Sequence, residues 1–384
     1  MSGPMILPWS GADVPHALLD LLRGCNVRCR DCYNTEAPLV KPLEQVAAEL
    51  DLAMAARRLH TVSLIGGEPL LHPQLHAILR MIKARGLATE IFSNGLGLGP
   101  AEARELRRAG ADFIVLHIES GQQRPDLEAD TPRALRRLRE AKAAVVTGAG
   151  MEAGLSITAY PEAPGEVEEA LATTLDCPGL SFLLITLHME AGTIPPLSGS
   201  LATGLHAAAP LDAAALAPFR ARAEHLRALR AQLDARLGCA FAVLPSIAGP
   251  EDPRWLSYLA ATVHRPGREA RVRGLRCTPL EPFFNELAHR LAGRYAFYQP
   301  QDGRRNRIHL LLNGLLGGGL LGNLGLLAGA SHRDASLQVK RILVQAPATL
   351  DAQGRLIHCR DCPDAVVRHG VLAPVCITDR VLPG

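Results

Sequence analysis

Short apolar runs alternate with helically spaced apolar residues through the first half of the chain. The runs at 61–65 and 112–118 contain β-branched residues and end at turn residues, which is typical of buried strands. Between such runs apolar residues recur every three or four positions, as in the segment that Pro42 opens. We count about six strand–helix units, and this alternation predicts a parallel sheet. The predicted fold class is α/β, a partial (β/α)6 barrel of the TIM type.

The alternation ends near residue 190. Residues 191–210 are rich in Gly, Pro, Ser and Thr and predict a loop, 211–237 predict a long helix, and 241–248 predict one more strand. We therefore divide the chain into a barrel domain, residues 1–248, and a C-terminal region, residues 249–384. In a parallel barrel the site residues are expected in the loops at the carboxyl ends of the strands.

Composition narrows the classes of function. The 384 residues carry a net charge of +3 and only 4% aromatic residues, so neither a basic surface nor stacking platforms argue for nucleic-acid binding. The first ten residues lack the basic and apolar regions of a secretory signal, and we expect a cytoplasmic protein. In that compartment nine cysteines indicate metal, cluster or catalytic chemistry and not a disulfide framework.

Three of the cysteines lie on one short loop. Cys25, Cys29 and Cys32 form a CxxxCxxC pattern directly after the predicted strand at 16–22. Structural zinc sites use four ligands, usually in paired CxxC spacing, so zinc fits only if a distant residue such as His16 completes the site. Three thiolates can instead bind three irons of a cubane iron–sulfur cluster and leave the fourth iron open for chemistry.

This region resembles the radical S-adenosylmethionine (radical SAM) superfamily. The CxxxCxxC pattern is followed by the aromatic Tyr33, and Gly66-Gly67-Glu68-Pro69 follows the second predicted strand. Ser93-Asn94-Gly95 after the third strand and the repeated strand–helix pattern extend the resemblance. It covers roughly residues 15–245 and implies a radical SAM enzyme, with an electron donor such as flavodoxin or ferredoxin.

The resemblance implies a role for each matching residue. Cys25, Cys29 and Cys32 would bind a [4Fe–4S] cluster whose open iron binds the amino and carboxylate groups of S-adenosylmethionine. The other matching residues would contact that cofactor: Tyr33 near the adenine, Gly66, Gly67, Glu68 and Pro69 at the methionine amino group, Ser93 and Asn94 beside them, and Ser120 at the ribose. The implied reaction is reductive cleavage of the cofactor, followed by hydrogen abstraction from, or adenosyl addition to, a substrate that family membership does not fix.

The motifs outside the cysteine loop also have structural explanations. Gly66 and Gly67 fit an ordinary turn at a strand end, and Glu68 fits a carboxylate at a helix N-terminus. Ser93-Asn94-Gly95 fits any β-turn, and Ser120 fits a helix or turn cap. The competing class for the whole chain is a non-catalytic zinc-binding scaffold protein.

A second group of cysteines, Cys359, Cys362 and Cys376, lies near the C-terminus. We favour an auxiliary iron–sulfur cluster there, of the [4Fe–4S] type, over a structural zinc site. We predict Cys277 as the fourth ligand, with His358 and His369 as the alternatives. A CxxC redox pair would leave Cys376 without a role.

The cysteine spacing near the C-terminus does not match the long pattern of the peptide-maturing members of the superfamily, which argues against a peptide-maturing role. The two remaining cysteines, Cys177 and Cys239, are expected to be small buried residues.

An uncharged segment, residues 308–331, and clustered arginines bear on the substrate. The segment is long enough to span a membrane, but its asparagines and glycines make a poor spanning helix, and we expect no transmembrane span. We predict a buried, glycine-rich helix pair or an apolar wall for a small-molecule substrate. The alternative is a lipid or amphiphile approached at the membrane surface, because arginines at 265–276 and 304–307 accompany the apolar segment and would suit a peripheral protein.

Overall fold

The computed structural model of the chain describes residues 3–30, 32, 34, 39–190, 192–200, 204–295 and 303–378. Its helices are α1 (Leu43–Ala56), α2 (Leu75–Ala84), α3 (Pro100–Ala109), α4 (Pro132–Gly148), α5 (Pro164–Asp176), α6 (Ala213–Leu237), α7 (Leu280–Ala292), α8 (Gly303–Asn313) and α9 (Leu320–Gly329). Its strands are β1 (Met5–Ile6), β2 (His16–Asp20), β3 (Thr61–Ile65), β4 (Ala88–Ser93), β5 (Phe113–His117), β6 (Glu152–Ala159), β7 (Leu180–Leu187), β8 (Leu197–Ser200), β9 (Gly204–Ala207), β10 (Ala242–Ser246), β11 (Gly249–Arg265), β12 (Arg268–Leu275), β13 (Ser336–Gln345), β14 (Thr349–Leu350), β15 (Leu356–Ile357), β16 (Ala365–Arg368) and β17 (Val371–Pro374).

The six strands β2 to β7 are parallel and lie side by side in chain order. One helix, α1 to α5 in turn, follows each of the first five strands and returns the chain to the start of the next. The α/β class and the partial barrel of strand–helix units are therefore confirmed. All the carboxyl ends of these strands meet at one edge of the sheet, which brings the loops after them together.

The sheet continues beyond β7 with strands from the second half of the chain. β13 pairs with β7 in parallel, and β11, β10 and β1 follow it to the far edge, with β12 also paired to β11. The sheet is curved into a barrel, because inward side chains from β2, β4, β7, β11 and β13 line one shared cavity of about 60 Å³. The division of the chain at residue 248 stays a prediction.

The two faces of the curved sheet have different compositions. Outward residues such as Leu19, Leu64, Ile91 and Ile114 are buried under the surrounding helices in one large apolar core. Each fully buried Leu or Ile stabilises the fold by about 1.5–3 kcal/mol. The inward face contains aromatic and polar residues instead, so the interior of the barrel is available for chemistry and not only for packing.

The C-terminal hairpin, which we define as β16 and β17, lies against the inner face of β2. Val366 packs with Leu18, Ile65 and Phe92, three inward residues of the barrel. The hairpin forms its own two-stranded sheet and is not part of the main one.

Three details differ from the sequence predictions. Residues 191–210 were expected to form a loop, but they contain the short hairpin of β8 and β9. Cys239 is exposed and not buried, because it lies in the turn between α6 and β10. The segment 308–331 does form a helix pair around a π-helical turn at Gly314–Gly318, but it leaves several leucines exposed. No helix in the described ranges is long and apolar enough to cross a membrane.

Candidate active site

The cysteine loop, residues 24–32, leaves the barrel at the carboxyl end of β2. Cys25 and Cys32 are exposed and Cys29 is half-buried. The thiols are near enough to influence one another: partial burial raises the pKa of Cys32, and the charges of Cys29 and Cys25 raise it further. Over the described ranges, no three His, Cys, Asp or Glu side chains converge closely enough to hold a single metal ion.

Two glycines at the end of β3 allow close contact with this loop. The Gly67 N–H donates to the Leu22 carbonyl at 2.7 Å, and the Glu68 N–H donates to the Gly24 carbonyl at 2.9 Å. A Cβ on Gly67 would lie 2.0 Å from the Gly24 oxygen, and one on Gly66 would lie 2.4 Å from the Leu22 oxygen. Gly66 also has a φ of +147°, which disfavours other residues. Both positions therefore require glycine. Gly67 contacts the cysteine loop itself, and Gly66 contacts Leu22 just before the loop.

Glu68 links this turn to the next one. Its carboxylate accepts hydrogen bonds from the Leu70 N–H at 2.9 Å, the Ser93 hydroxyl at 2.8 Å and the Asn94 N–H at 2.7 Å. Burial raises the pKa of Glu68, although these hydrogen bonds act in the opposite direction. Pro69 is buried at the start of a short 3-10 turn. Glu68, Ser93 and Asn94 thus form one hydrogen-bonded unit.

Two side-chain amides direct N–H groups at the cysteine sulfurs. Asn94 Nδ2 lies 3.7 Å from the Cys25 Sγ and also donates to the Asn26 Oδ1 at 2.7 Å. Gln122 Nε2 lies 3.3 Å from the Cys29 Sγ. Donors aimed at thiolate sulfurs stabilise their negative charge, as they do around iron–sulfur clusters.

Gln122 and its neighbours belong to a third loop, after β5, which the sequence reasoning assigned no site residue except Ser120. The Gln122 carbonyl accepts from the Arg28 N–H at 3.1 Å, which fixes the middle of the cysteine loop. Arg124 donates to the Asn94 carbonyl at 2.8 Å and joins this loop to the one after β4. The run of polar residues directly after a buried parallel strand was the signal for this part of the site.

His117 and Glu119, at the end of β5, were also missed. Burial lowers the pKa of His117, but the Glu119 carboxylate and the contact with Cys29 outweigh it, so the pKa is raised well above its usual value. Glu119 also accepts from the Thr158 N–H at 2.6 Å. These two residues connect Cys29 with β6.

Ser120 and Tyr33 are the two remaining residues assigned to the cofactor. The Ser120 N–H donates to the Glu166 carboxylate at 2.7 Å, and its hydroxyl donates to the same group, so it bridges the loop to the start of α5. Tyr33 lies outside the described residues. A contact of either residue with the cofactor stays a prediction.

The C-terminal cysteines are close together at the base of the C-terminal hairpin. Cys359 and Cys362 are buried. A hydrogen bond between the Cys362 and Cys359 side chains, together with burial, raises the pKa of Cys362 well above its usual value. Burial and the charge of Cys359 raise the pKa of Cys376 to about 12.

The candidates for a fourth ligand lie at different distances from this group. His358 is adjacent to it, and its ring contacts the Cys359 carbonyl at 2.8 Å. His369 is in the turn at the far end of the hairpin, seven residues from Cys362 or about 20 Å along an extended strand. Cys277 lies by Met5 at the start of β10, whereas Cys359 pairs with Ser246 at the end of that strand. The role of Cys277 stays a prediction.

The residues present fit an iron–sulfur cluster with one iron left open. The loop offers three thiols as ligands, and its sequence contains no fourth cysteine. Two amide donors face the sulfurs, and glycines clear the space beside the loop. A cubane cluster places its thiolates on different irons, so the thiols need not converge on one point. A zinc site completed by His16 fits less well, because the His16 ring already contacts Ser63 and Asp364.

Comparisons with known proteins agree with this geometry. Residues 19–175 match the family model described as "Radical SAM superfamily". The chain is 26% identical over 250 residues to the PqqA peptide cyclase of Ruegeria pomeroyi, a match that covers 60% of each chain. It is 28% identical over 112 residues to the pre-heme d1 synthase of Dinoroseobacter shibae, which covers 28% of each. The chain thus spans less than two thirds of these relatives.

Solved structures with a similar arrangement include SuiB of Streptococcus suis bound to its precursor peptide SuiA. That similarity has a TM-score of 0.38 at 15% identity and covers 60% of this chain and 48% of SuiB. The region matched by the family model contains the cysteine loop and the turns after β3, β4 and β5. Residues 19–175, the part of the chain that forms this site, are thus similar to the radical SAM superfamily.

Proposed function

We propose that the protein is a radical SAM enzyme that cleaves S-adenosylmethionine reductively. The observation that carries the proposal is the convergence of the loops after β3, β4 and β5 on a loop of three cysteines, with amide donors aimed at two sulfurs. Cys25, Cys29 and Cys32 would hold a [4Fe–4S] cluster, which would supply the one electron needed to cleave S-adenosylmethionine reductively to methionine and a 5′-deoxyadenosyl radical.

The chain's own residues would hold and screen this site. Asn94 and Gln122 stabilise charge on the sulfurs, and Glu68 fixes Asn94 by accepting its backbone N–H. Gly66 and Gly67 keep side chains out of the space beside the loop, where the backbone can approach a cofactor. The inward aromatic residues of the barrel exclude water, which protects a radical from competing hydrogen donors.

The direct test is product formation by the reconstituted protein. Under dithionite and without oxygen, the protein should convert S-adenosylmethionine to 5′-deoxyadenosine and methionine. Cys29→Ala should abolish this product, whereas Cys239→Ala, at an exposed cysteine far along the chain, should not change it. Equal product from Cys29→Ala would refute the cofactor assignment, and a colourless zinc protein without product would identify the scaffold class instead.

We propose an auxiliary cluster at Cys359, Cys362 and Cys376, with Cys277 or His358 as the fourth ligand. The support is the mutual proximity of three thiols in a part of the chain separate from the cysteine loop. A variant with Cys25, Cys29 and Cys32 all changed to Ala isolates the second group. Iron and acid-labile sulfide retained in that variant support a cluster, while zinc alone rejects it.

The substrate class is not carried over from the relatives. Their names describe a peptide cyclase, a pre-heme d1 synthase, a nucleotide dehydratase and a GTP cyclase, so the relatives differ in target. A small-molecule substrate and an electron donor such as a flavodoxin or ferredoxin remain our proposal, as do a cytoplasmic location and a boundary between barrel and C-terminal region near residue 248.

An amphiphilic substrate at a membrane surface is a second candidate, favoured by exposed apolar side chains on three helices of the C-terminal region. We define the apolar patch as the exposed large apolar side chains of α7, α8, α9 and the turn between the last two: Phe283, Phe284, Leu291, Ile308, Leu311, Leu315, Leu316, Leu321 and Leu324. Leu321 is 86% exposed and Leu291 79%, so neither contributes to the core. Exposed arginines flank the patch at Arg290, Arg294, Arg304 and Arg305.

An apolar surface flanked by arginines fits a bilayer that contains anionic lipid. A second copy fits less well, because pairing two such patches would bring arginines together. The protein should sediment with phosphatidylglycerol vesicles and much less with phosphatidylcholine vesicles, and Leu321→Gln should weaken this binding. Ile6→Gln, at an exposed residue of β1, is the matched control. A dimer that Leu321→Gln dissociates, without vesicle binding, would contradict the proposal.

A further inference from the structure

The C-terminal hairpin fills the part of the barrel interior next to the cysteine loop. β16 runs alongside β2 from one end to the other. Asp364 contacts the His16 ring (Nδ1 to Oδ1, 3.3 Å) at the start of β2. Val366 packs beside Leu18 in the middle of the strand, and the Arg368 guanidinium donates to the Asp20 carboxylate at its end. Alternate residues of β16 therefore face the inner side of β2.

Asp364 also reaches the opposite side of the interior. The Gln345 side chain at the end of β13 donates to the Asp364 Oδ2 at 2.8 Å. The same carboxylate thus contacts β2, at one edge of the sheet, and β13, which lies across the interior. Below it, the cavity that remains in the barrel is only about 60 Å³ and includes Asp364 in its wall. Pockets that bind organic ligands are about 300 Å³ or larger, so an organic substrate does not fit this cavity while the hairpin is in place.

The hairpin is held in the barrel by side chains and not by a ladder of strand hydrogen bonds. Its backbone bonds join β16 to β17. Across the described residues, no backbone–backbone hydrogen bond joins residues 362–376 to β2 or β13. The chain is anchored just before the hairpin, where the Arg360 N–H donates to the Pro245 carbonyl at 3.1 Å. An element whose backbone is bonded to the rest of the protein only at its base can leave the interior without breaking the main sheet.

One contact inside the barrel is an ion pair of Arg368 with Asp20. Asp20 is 3% exposed and also pairs with Arg23 at 3.2 Å, at the residue before the cysteine loop begins. Both arginines contact the Oδ2 atom, while Oδ1 has no hydrogen-bond partner among the described residues. Removing one partner of a buried ion pair is strongly destabilising, because it leaves the other charge buried and unpaired. We therefore expect this pair to hold the hairpin in place.

We propose that the C-terminal hairpin is a displaceable plug of the barrel, that the Arg368–Asp20 ion pair latches it, and that substrate enters the interior only when the plug withdraws. The reference to substrate rests on the proposed radical SAM function, whereas the plug and its latch do not. Because Cys362 and Cys376 flank the hairpin, a metal or cluster at the C-terminal cysteines would fix the base about which the plug moves.

Tryptophan fluorescence tests the plug without any cofactor. The chain has two tryptophans, Trp9 and Trp255, and both line the cavity below the hairpin. Quenching by acrylamide should be weak in the parent protein. Arg368→Gln should raise the quenching constant at least about twofold and speed amide hydrogen exchange in residues 365–374, because local opening exposes both. Arg368→Lys should restore most of the protection.

Arg355→Gln is the matched control, because it breaks an exposed ion pair with Asp351 near β15, outside the barrel. It should leave quenching and exchange unchanged. If Arg368→Gln keeps a native circular dichroism spectrum with parental quenching, the hairpin is a fixed wall and the proposal is wrong. It is equally wrong if Arg368→Gln unfolds the whole chain, since the hairpin then cannot leave by itself. Both results are independent of whether the protein cleaves S-adenosylmethionine.

Discussion

Gly67 lies where the chain after β3 touches the cysteine loop, and the lack of a side chain at Gly67 allows that contact. A Cβ on Gly67 would lie only 2.0 Å from the Gly24 carbonyl oxygen. The sequence shows the Gly66-Gly67-Glu68-Pro69 motif, but it does not show why Gly67 must be glycine. The residue that Gly67 contacts, Gly24, is 43 positions earlier in the chain. Glu68 is a similar case: its carboxylate holds the Asn94 turn, a contact that no spacing rule indicates.

Gly67→Ala should therefore displace the cysteine loop. The overlap costs about 1–3 kcal/mol in a packed region, and we expect it to lower both the free energy of unfolding and the iron retained after reconstitution. Gly97→Ala is the control, since nothing lies within 4 Å of a Cβ there. Parental iron content in Gly67→Ala would show that the contact does not shape the loop.

Lys340 is a fully buried cation in β13, and burial lowers its pKa to about 7. Its ammonium donates to the Thr174 and Cys177 carbonyls at 2.6 Å each, at the end of α5. The folded protein thus holds this proton more weakly than the unfolded chain, whose lysine pKa is about 10.4. The free energy of unfolding should rise between about pH 7 and pH 10, by up to ~1.4 kcal/mol per pH unit.

Lys340→Met should lack this rise, because it has no proton to release. Urea unfolding under reductant at several pH values measures it, and Lys83→Met, at a half-exposed lysine paired with Asp112, should keep the parental slope. Equal slopes for the parent and Lys340→Met would mean that Lys340 keeps an ordinary pKa in the folded state.

At the scale of elements, three loops from consecutive strands build one site. The strand–helix alternation predicted these loops, since β2 to β7 lie side by side in chain order with one α-helix in each connection. The loop after β5 was assigned only Ser120, which contacts Glu166, while Gln122 contacts the Cys29 sulfur. Two residues of the same polar loop differ in this way because the turn at Gly121 reverses the chain, with a φ of +72°.

Gln122→Leu should lower the reduction potential of the cluster. The amide donor stabilises the more negative reduced state, and one hydrogen bond of about 1 kcal/mol corresponds to ~40 mV for a one-electron couple. A redox titration followed by electron paramagnetic resonance (EPR) measures the shift. Gln45→Leu, at an exposed residue of α1, is the control. An unchanged potential would show that the Gln122 contact with Cys29 is lost when the cluster is bound.

At the scale of the molecule, the second half of the chain returns to complete the first. β13 lies between β7 and β11, more than 140 residues after β7 in sequence. The local pattern identifies such a strand but not its neighbours, since register between distant strands depends on packing. The same holds for the C-terminal hairpin, whose position in the barrel depends on contacts with Leu18 and Asp20.

Because β13 is paired along both edges, the barrel and the C-terminal region should unfold together. Circular dichroism and tryptophan fluorescence should give coincident urea transitions, since the first reports all helices and the second reports Trp9 and Trp255. Two separated transitions would indicate that the regions on either side of residue 248 are stable independently.

The central claim is that the cysteine loop holds a cluster with one iron open to S-adenosylmethionine. The most direct measurement is the EPR spectrum of the reduced protein before and after S-adenosylmethionine is added, in a variant with Cys359, Cys362 and Cys376 changed to Ala. We expect a [4Fe–4S] signal that changes when the cofactor binds. A signal that does not respond to S-adenosylmethionine, or a protein that holds zinc and gives no signal, would contradict the account.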